Sequence, residues 1–210
     1  MYPDIPELIP LAHLPASHHF IGPCDWEADI AKPDWWDEVM GSCKPKIFVA
    51  LGSSGPIEVL PDILRALAQL PAPAIIATSG RTTVNSPDCY VADFLPYTAT
   101  IRKSAVLISN GGSTSIYSAL AAGIPILAIP SNIDTQLSSQ ILENSGAGIV
   151  LRAEKANSEN VLRALQQLID DQDFKKSALR WSKIISTYDT PRLFSAILRD
   201  WFDSQGATTH

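Results

Sequence analysis

The chain has 210 residues, of which 46% are hydrophobic and 18% charged, and it carries a net charge of −6. That size and apolar content support one compact domain and exclude a disordered segment. The acidic balance leaves no Lys/Arg stripe to replace phosphate counterions, which excludes a nucleic-acid partner.

Residues 1–44 hold Pro3, Pro6, Pro10, Pro15, Pro23 and Pro33 together with Trp26, Trp35 and Trp36. Frequent proline forbids long helices and central strands, so an extended arm is expected, with one short helix over Asp34 to Gly41. Its aromatics are expected to rest on the main domain or on a partner surface. The opening residues, MYPDIPELIP, have neither a cationic start nor an apolar core, so they do not read as a secretory signal. No apolar run approaches the ~20 residues needed to cross a bilayer. Cys24, Cys43 and Cys89 are odd in number, widely spaced and without a Cys-x-x-Cys or His pairing. Free thiols in a reducing cytoplasm are expected, with no disulfide and no metal site.

From Pro45 onward, apolar runs alternate with helical patterns. Strand-like Ile47 to Leu51, Ala74 to Thr78, Cys89 to Ala92, Ala105 to Ser109, Ile126 to Ile129 and Ile149 to Leu151 alternate with helical Ile57 to Leu70, Thr98 to Lys103, Ser113 to Ala122 and Thr135 to Asn144. Such alternation requires crossovers and hence parallel pairing, and unbroken apolar strands require cover on both faces. The expected fold class is α/β, a doubly wound parallel sheet of about six strands. Beyond Arg152 the pattern is helical over Ser158 to Asp170, Asp173 to Ser186 and Pro191 to Phe202, before a polar end from Gly206 to His210. The last of these helices would pack on the sheet or remain exposed.

The stretch from Ser109 to Pro130, SNGGSTSIYSALAAGIPILAIP, carries the most chemistry. Asn110, Gly111 and Gly112 break a buried strand, and Ser113, Thr114 and Ser115 open a helix. Two glycines let the backbone approach a ligand, the hydroxyls add donors, and the free N–H groups and dipole of the helix start attract an anion. A phosphate cradle is the reading, with a plain turn and N-cap as the alternative that a lone Gly-Gly-Ser would leave open.

The order Asp-Phe-Leu-Pro at Asp93 to Pro96, the glycine turn, Ala-Gly-Ile-Pro at Ala122 to Pro125, Asp134, and Gly-Ala-Gly at Gly146 to Gly148 resembles the donor-nucleotide region of GT-B glycosyltransferases. The resemblance is to the macrolide and sterol type, which uses nucleotide-diphosphate sugars. It extends to PKIFVALGSSG at Pro45 to Gly55, while Asp4 to Leu8 and Ile21 to Trp36 are similar to the segment that leaves the family's N-terminal domain and enters its C-terminal one. It implies the Rossmann-like C-terminal half of a GT-B enzyme, with 45–210 as the donor-binding domain and 1–44 as an arm or interdomain linker.

The same resemblance implies site residues. Gly52, Ser53 and Ser54, with Asn110, Gly111, Gly112, Ser113, Thr114 and Ser115, would bind the donor diphosphate. Phe94 and Leu95 would meet the base, Ser118 would lie beside the ribose, and Asp134, Thr135 and Gln136 would face the sugar. The residues themselves leave structural alternatives: Gly52 to Ser54 as a turn before a helix started by Pro56, Phe94 as core, and Asp134 as the N-cap of a helix starting near Thr135. Arg81 reads as a solvated loop cation or a charge offered to the phosphates.

Four positions depart from the family pattern. Asn110 stands where histidine is usual, Ser118 where an acidic residue holds the ribose, and Tyr97 and Thr135 where glutamines are usual. No general base is legible: His13, His18 and His19 fall in the arm and His210 at the end. The implied reaction moves a sugar from UDP or dTDP to an acceptor hydroxyl without metal or cofactor. Turnover would need an acceptor-binding N-terminal domain, as a subunit or as part of a longer chain. A non-catalytic nucleotide-binding or interaction module derived from that family is the alternative, and exposed apolar surface would favour self-association.

Overall fold

A computed structural model describes residues 1–24 and 26–206, so His210 and the polar end beyond Gly206 lie outside the described residues. Six strands, β1 (Ile47–Ala50), β2 (Ala74–Ala77), β3 (Cys89–Ala92), β4 (Val106–Ser109), β5 (Ile126–Ala128) and β6 (Gly148–Val150), form one sheet in the order β3-β2-β1-β4-β5-β6. Every pairing is parallel, with Ile47 of β1 level with Ala74 of β2 and Val106 of β4. The chain runs outward from β1 to β3, returns to the middle, and runs outward the other way. At that reversal the loops leaving β1 and β4 diverge and open a crevice at the carboxyl ends of the strands.

The helices are α1 (Trp36–Gly41), α2 (Leu60–Leu67), α3 (Tyr97–Arg102), α4 (Ser113–Ala122), α5 (Ile133–Ser145), α6 (Ser158–Asp170), α7 (Gln172–Ile185) and α8 (Thr190–Gly206). Successive strand residues point to opposite faces and so build two cores. Phe48, Leu107 and Ile126 join Ile116 and Leu120 of α4 and Trp181 of α7. Ile47, Val49 and Ile108 join Ile63 of α2 and Leu165 of α6 on the other side. Each large apolar side chain buried this way contributes about 1.5–3 kcal/mol relative to exposure.

The expected helix over Ile57 to Leu70 is divided, with a 3₁₀ turn at Ile57–Val59 preceding α2. Pro61 is the physical reason, because it lacks an N–H and its ring collides with the carbonyl four residues back. The helix expected from Thr135 starts earlier, at Ile133, because Asn132 caps it. Asn132 Oδ1 accepts from the Thr135 N–H at 2.9 Å, and Thr135 Oγ1 accepts from the Asn132 N–H at 3.3 Å.

Of the alternatives for the arm, packing on the domain holds for much of it. Ile5, Leu8 and Trp36 are buried in the core around Phe48, whereas Trp26 is 82% exposed. Tyr117 of α4 fastens the arm by donating to Asp4 Oδ1 at 3.0 Å and accepting the Ile5 N–H at 3.4 Å. Burial, and then the Asp4 charge, push the phenol pKa up and keep Tyr117 a donor. Tyr117→Phe is expected to lower stability by about 1 kcal/mol. A denaturant midpoint unchanged from the native chain would show that apolar contacts alone hold the arm. The last helix takes the exposed alternative, since Phe194, Trp201 and Phe202 of α8 remain 43%, 54% and 63% accessible.

Candidate anion-binding site at the centre of the sheet

The turn after β4 uses its two glycines differently. Gly111 is left-handed (φ +76°), and a Cβ there would overlap Ser139 Oγ and lie 3.2 Å from Ala128 Cβ, so the fold itself demands glycine. Gly112 has an ordinary extended backbone (φ −66°, ψ 148°). A Cβ on it would meet nothing nearer than Asn110 Oδ1 at 3.4 Å. Internal packing therefore does not explain the second glycine, while close approach by a ligand would. Gly112 is also the N-cap of α4 and makes no side-chain cap, which leaves the N–H groups of the first turn, at Ser113, Thr114 and Ser115, open to an anion.

The loop after β1 lies against this turn. Gly52 is left-handed (φ +69°), Ser53 and Ser54 are exposed, and Gly55 is wedged so that a Cβ would lie 3.0 Å from Asn110 Cβ. Asn110 joins the two loops. Its Oδ1 accepts the Gly112 N–H at 3.2 Å and its Nδ2 reaches Ser54 Oγ at 3.5 Å. Arg81 is neither a free solvated cation nor a distant one, because its Nη1 donates to Gly52 O at 3.0 Å and Gly55 O at 2.7 Å.

Other expected residues surround this centre. Phe94, after β3, is 58% exposed, which rules out the core alternative, while the Leu95 side chain is buried. Tyr97 Oη donates to Ser115 Oγ at 2.8 Å and holds α3 against α4; burial pushes its pKa up to about 12, so it stays protonated. Ser118 is half-buried and faces a separate cavity of about 150 Å³, shared with Thr98, Arg102, Thr114 and Tyr117.

Two expectations at the start of α5 are corrected. Asp134 is not the N-cap, since Asn132 fills that role and leaves the Asp134 carboxylate exposed in the first turn. Thr135 does not face a sugar: it is 3% exposed and its hydroxyl closes the capping box. Gln136 is half-buried beside it.

His13, His18 and His19 are all exposed, and His18 Nδ1 pairs with Tyr2 Oη at 2.8 Å. The three cysteines are free thiols. Among the described residues no group of three His, Cys, Asp or Glu side chains could hold a metal, and no helix is long and apolar enough to cross a membrane.

Two buried polar groups had no signal in the sequence. Lys46 is 2% exposed and donates to Ser42 O at 2.7 Å and Lys44 O at 2.9 Å, its pKa lowered by burial and then by Lys103. Ser139 Oγ is buried beneath Gly111 with no partner among the described residues.

A six-stranded, all-parallel α/β sheet with an open helix start at its point of reversal defines a Rossmann-like domain. The chain belongs to the erythromycin biosynthesis protein CIII-like C-terminal domain family, whose pattern it matches over residues 58–193. It is 43% identical over 182 residues to a PGL/p-HBAD biosynthesis glycosyltransferase of Mycobacterium tuberculosis, covering 86% of this chain and 42% of that protein. It is 38% identical to a PGL/p-HBAD biosynthesis rhamnosyltransferase of Mycobacterium bovis, covering 86% and 40%. The chain thus spans about two fifths of the length of these relatives. The spinosyn rhamnosyltransferase SpnG shares its fold with a TM-score of 0.76 at 22% identity, covering 92% of this chain and 55% of that one. A structure of SpnG complexed with thymidine diphosphate aligns with a TM-score of 0.66 at 24% identity, over 81% of this chain and 49% of that one. The expected fold class and GT-B resemblance both hold.

Proposed function

We propose that this chain is the donor-binding part of a cytoplasmic glycosyltransferase that moves a sugar from UDP or dTDP to an acceptor hydroxyl. The observation that carries the reading is Gly112, which sits at the uncapped start of α4 with no packing neighbour nearer than Asn110 Oδ1 at 3.4 Å to require a glycine there. The naming of relatives as glycosyltransferases and the thymidine diphosphate bound by SpnG support it. In this reading the helix-start N–H groups stabilise the departing diphosphate, so neither metal nor cofactor is needed. Phe94 lies against the base, whereas Ser118, which faces the separate cavity, is given no ligand contact. The acceptor is held and the general base supplied by a separate N-terminal domain, in keeping with relatives more than twice the length of the matched part.

Calorimetric titration with UDP, dTDP and GDP tests the assignment and is expected to show one site. No binding to any of the three would overturn it. Asp134 is a strong acceptor without donors, suited to sugar hydroxyls. Asp134→Asn is therefore expected to weaken a nucleotide sugar by about fivefold, the equivalent of one net hydrogen bond, with little change for the bare diphosphate. Equal losses for both ligands would contradict that role.

One observation favours a second reading, a non-catalytic binding module. Polar groups at three of the departing positions are engaged inside the protein, Tyr97 with Ser115, Thr135 with Asn132, and Asn110 with Gly112. Transfer assays with an added N-terminal domain separate the two readings.

A further inference from the structure

The two loops that form the cradle, residues 52–55 and 109–115, contain no charged side chain. A cation reaches them from elsewhere in the chain. Arg81 follows β2 through Ser79 and Gly80, both left-handed at φ +55° and +69°. Ser79 is a non-glycine residue in a conformation that needs outside support. That support comes from the end of β3: the Ser79 N–H donates to Asp93 O at 2.8 Å and Thr78 Oγ1 donates to Asp93 Oδ1 at 2.6 Å. The turn directs Arg81 back across the carboxyl edge of the sheet to the β1 loop.

There a single nitrogen, Nη1, donates to both Gly52 O and Gly55 O, at 3.0 and 2.7 Å. Two carbonyls that would repel a nearby anion are thereby paired. Fixing the Gly52 carbonyl also fixes the Ser53 N–H on the opposite side of their shared trans peptide plane. Asn110 Nδ2 reaches Ser54 Oγ of the same loop at 3.5 Å and its Oδ1 accepts the Gly112 N–H, so the brace continues into the second loop. The Nε and Nη2 groups make no hydrogen bond, and Arg81 forms no ion pair, among the described residues.

We infer that Arg81 is a positioning residue for the donor diphosphate, bracing the β1 loop through Gly52 and Gly55 while supplying the positive charge that the two neutral loops lack. This rests on the donor-binding reading.

The test compares the native 210-residue chain with Arg81→Met and Arg81→Lys, titrated with UDP, dTDP and their monophosphates, and followed by hydrogen exchange without ligand. Arg81→Met is expected to weaken the bound diphosphate about tenfold or more and the monophosphate less than about threefold, because charge-assisted contacts grow with ligand charge. It is also expected to speed exchange at Ser53 and Ser54 with the melting midpoint held within a few degrees. Arg81→Lys keeps the charge without the planar fork and is expected to recover part of the affinity. Native diphosphate affinity in Arg81→Met overturns the inference alone, as does an equal loss for monophosphate and diphosphate. A native chain that binds neither diphosphate overturns the donor-binding reading, and this inference falls with it.

Discussion

Gly112→Val is expected to weaken diphosphate binding by roughly a hundredfold or more while leaving the chain folded. The backbone at Gly112 lies in a region open to any residue, and a Cβ added there would meet only Asn110 Oδ1 at 3.4 Å. A branched side chain there covers the N–H groups at the start of α4. Losing two charge-assisted hydrogen bonds at about 1.5 kcal/mol each accounts for a factor of roughly a hundred. Gly111→Val is the control, because its added atoms collide with Ser139 and its φ of +76° disfavours any Cβ. That variant is expected to lose about 2 kcal/mol or more of stability together with its binding. Thermal melts and calorimetry on both variants separate a fold requirement from a ligand requirement. Full affinity in a folded Gly112→Val chain would place the site elsewhere.

The sheet is legible because its strands are unbroken apolar runs separated by crossovers, and the helix from Ser113 to Ala122 lies where its glycines mark both ends. What escapes a linear reading is chosen between near neighbours or across long separations. Asn132, Asp134 and Thr135 are all plausible around a helix start, and only the backbone settles that Asn132 caps while Thr135 is buried. Six prolines forecast an extended arm, yet the burial of Ile5 and Leu8 depends on a surface formed more than 40 residues later. The acceptors of Arg81 are backbone carbonyls in another loop, and a carbonyl leaves no side-chain signature. Phe94 could have been core on sequence grounds, but its 58% exposure follows from the loop that carries it past the end of β3.

Alone, the 210-residue chain is expected to transfer no sugar, and at most to hydrolyse a donor slowly. Orienting an acceptor hydroxyl contributes up to about 10⁵ or more in effective molarity, and general base catalysis about 10²–10⁴. In the proposed function both come from the N-terminal domain. His13, His18 and His19 are exposed on the arm, Asp93 accepts from Thr78 at 2.6 Å, and Asp134 is proposed to hold the sugar. Ile133 and Leu137 instead leave apolar surface 77% and 60% exposed at the start of α5, which suits contact with an acceptor-binding domain. A radiolabelled-donor assay with UDP- and dTDP-sugars, lipid and small-molecule acceptors, and the N-terminal part of a mycobacterial relative supplied in trans measures this division of labour. Transfer is expected only when both parts are present. Sustained turnover by the 210 residues alone would place a base and an acceptor site within them and overturn the assignment of those roles to a separate domain.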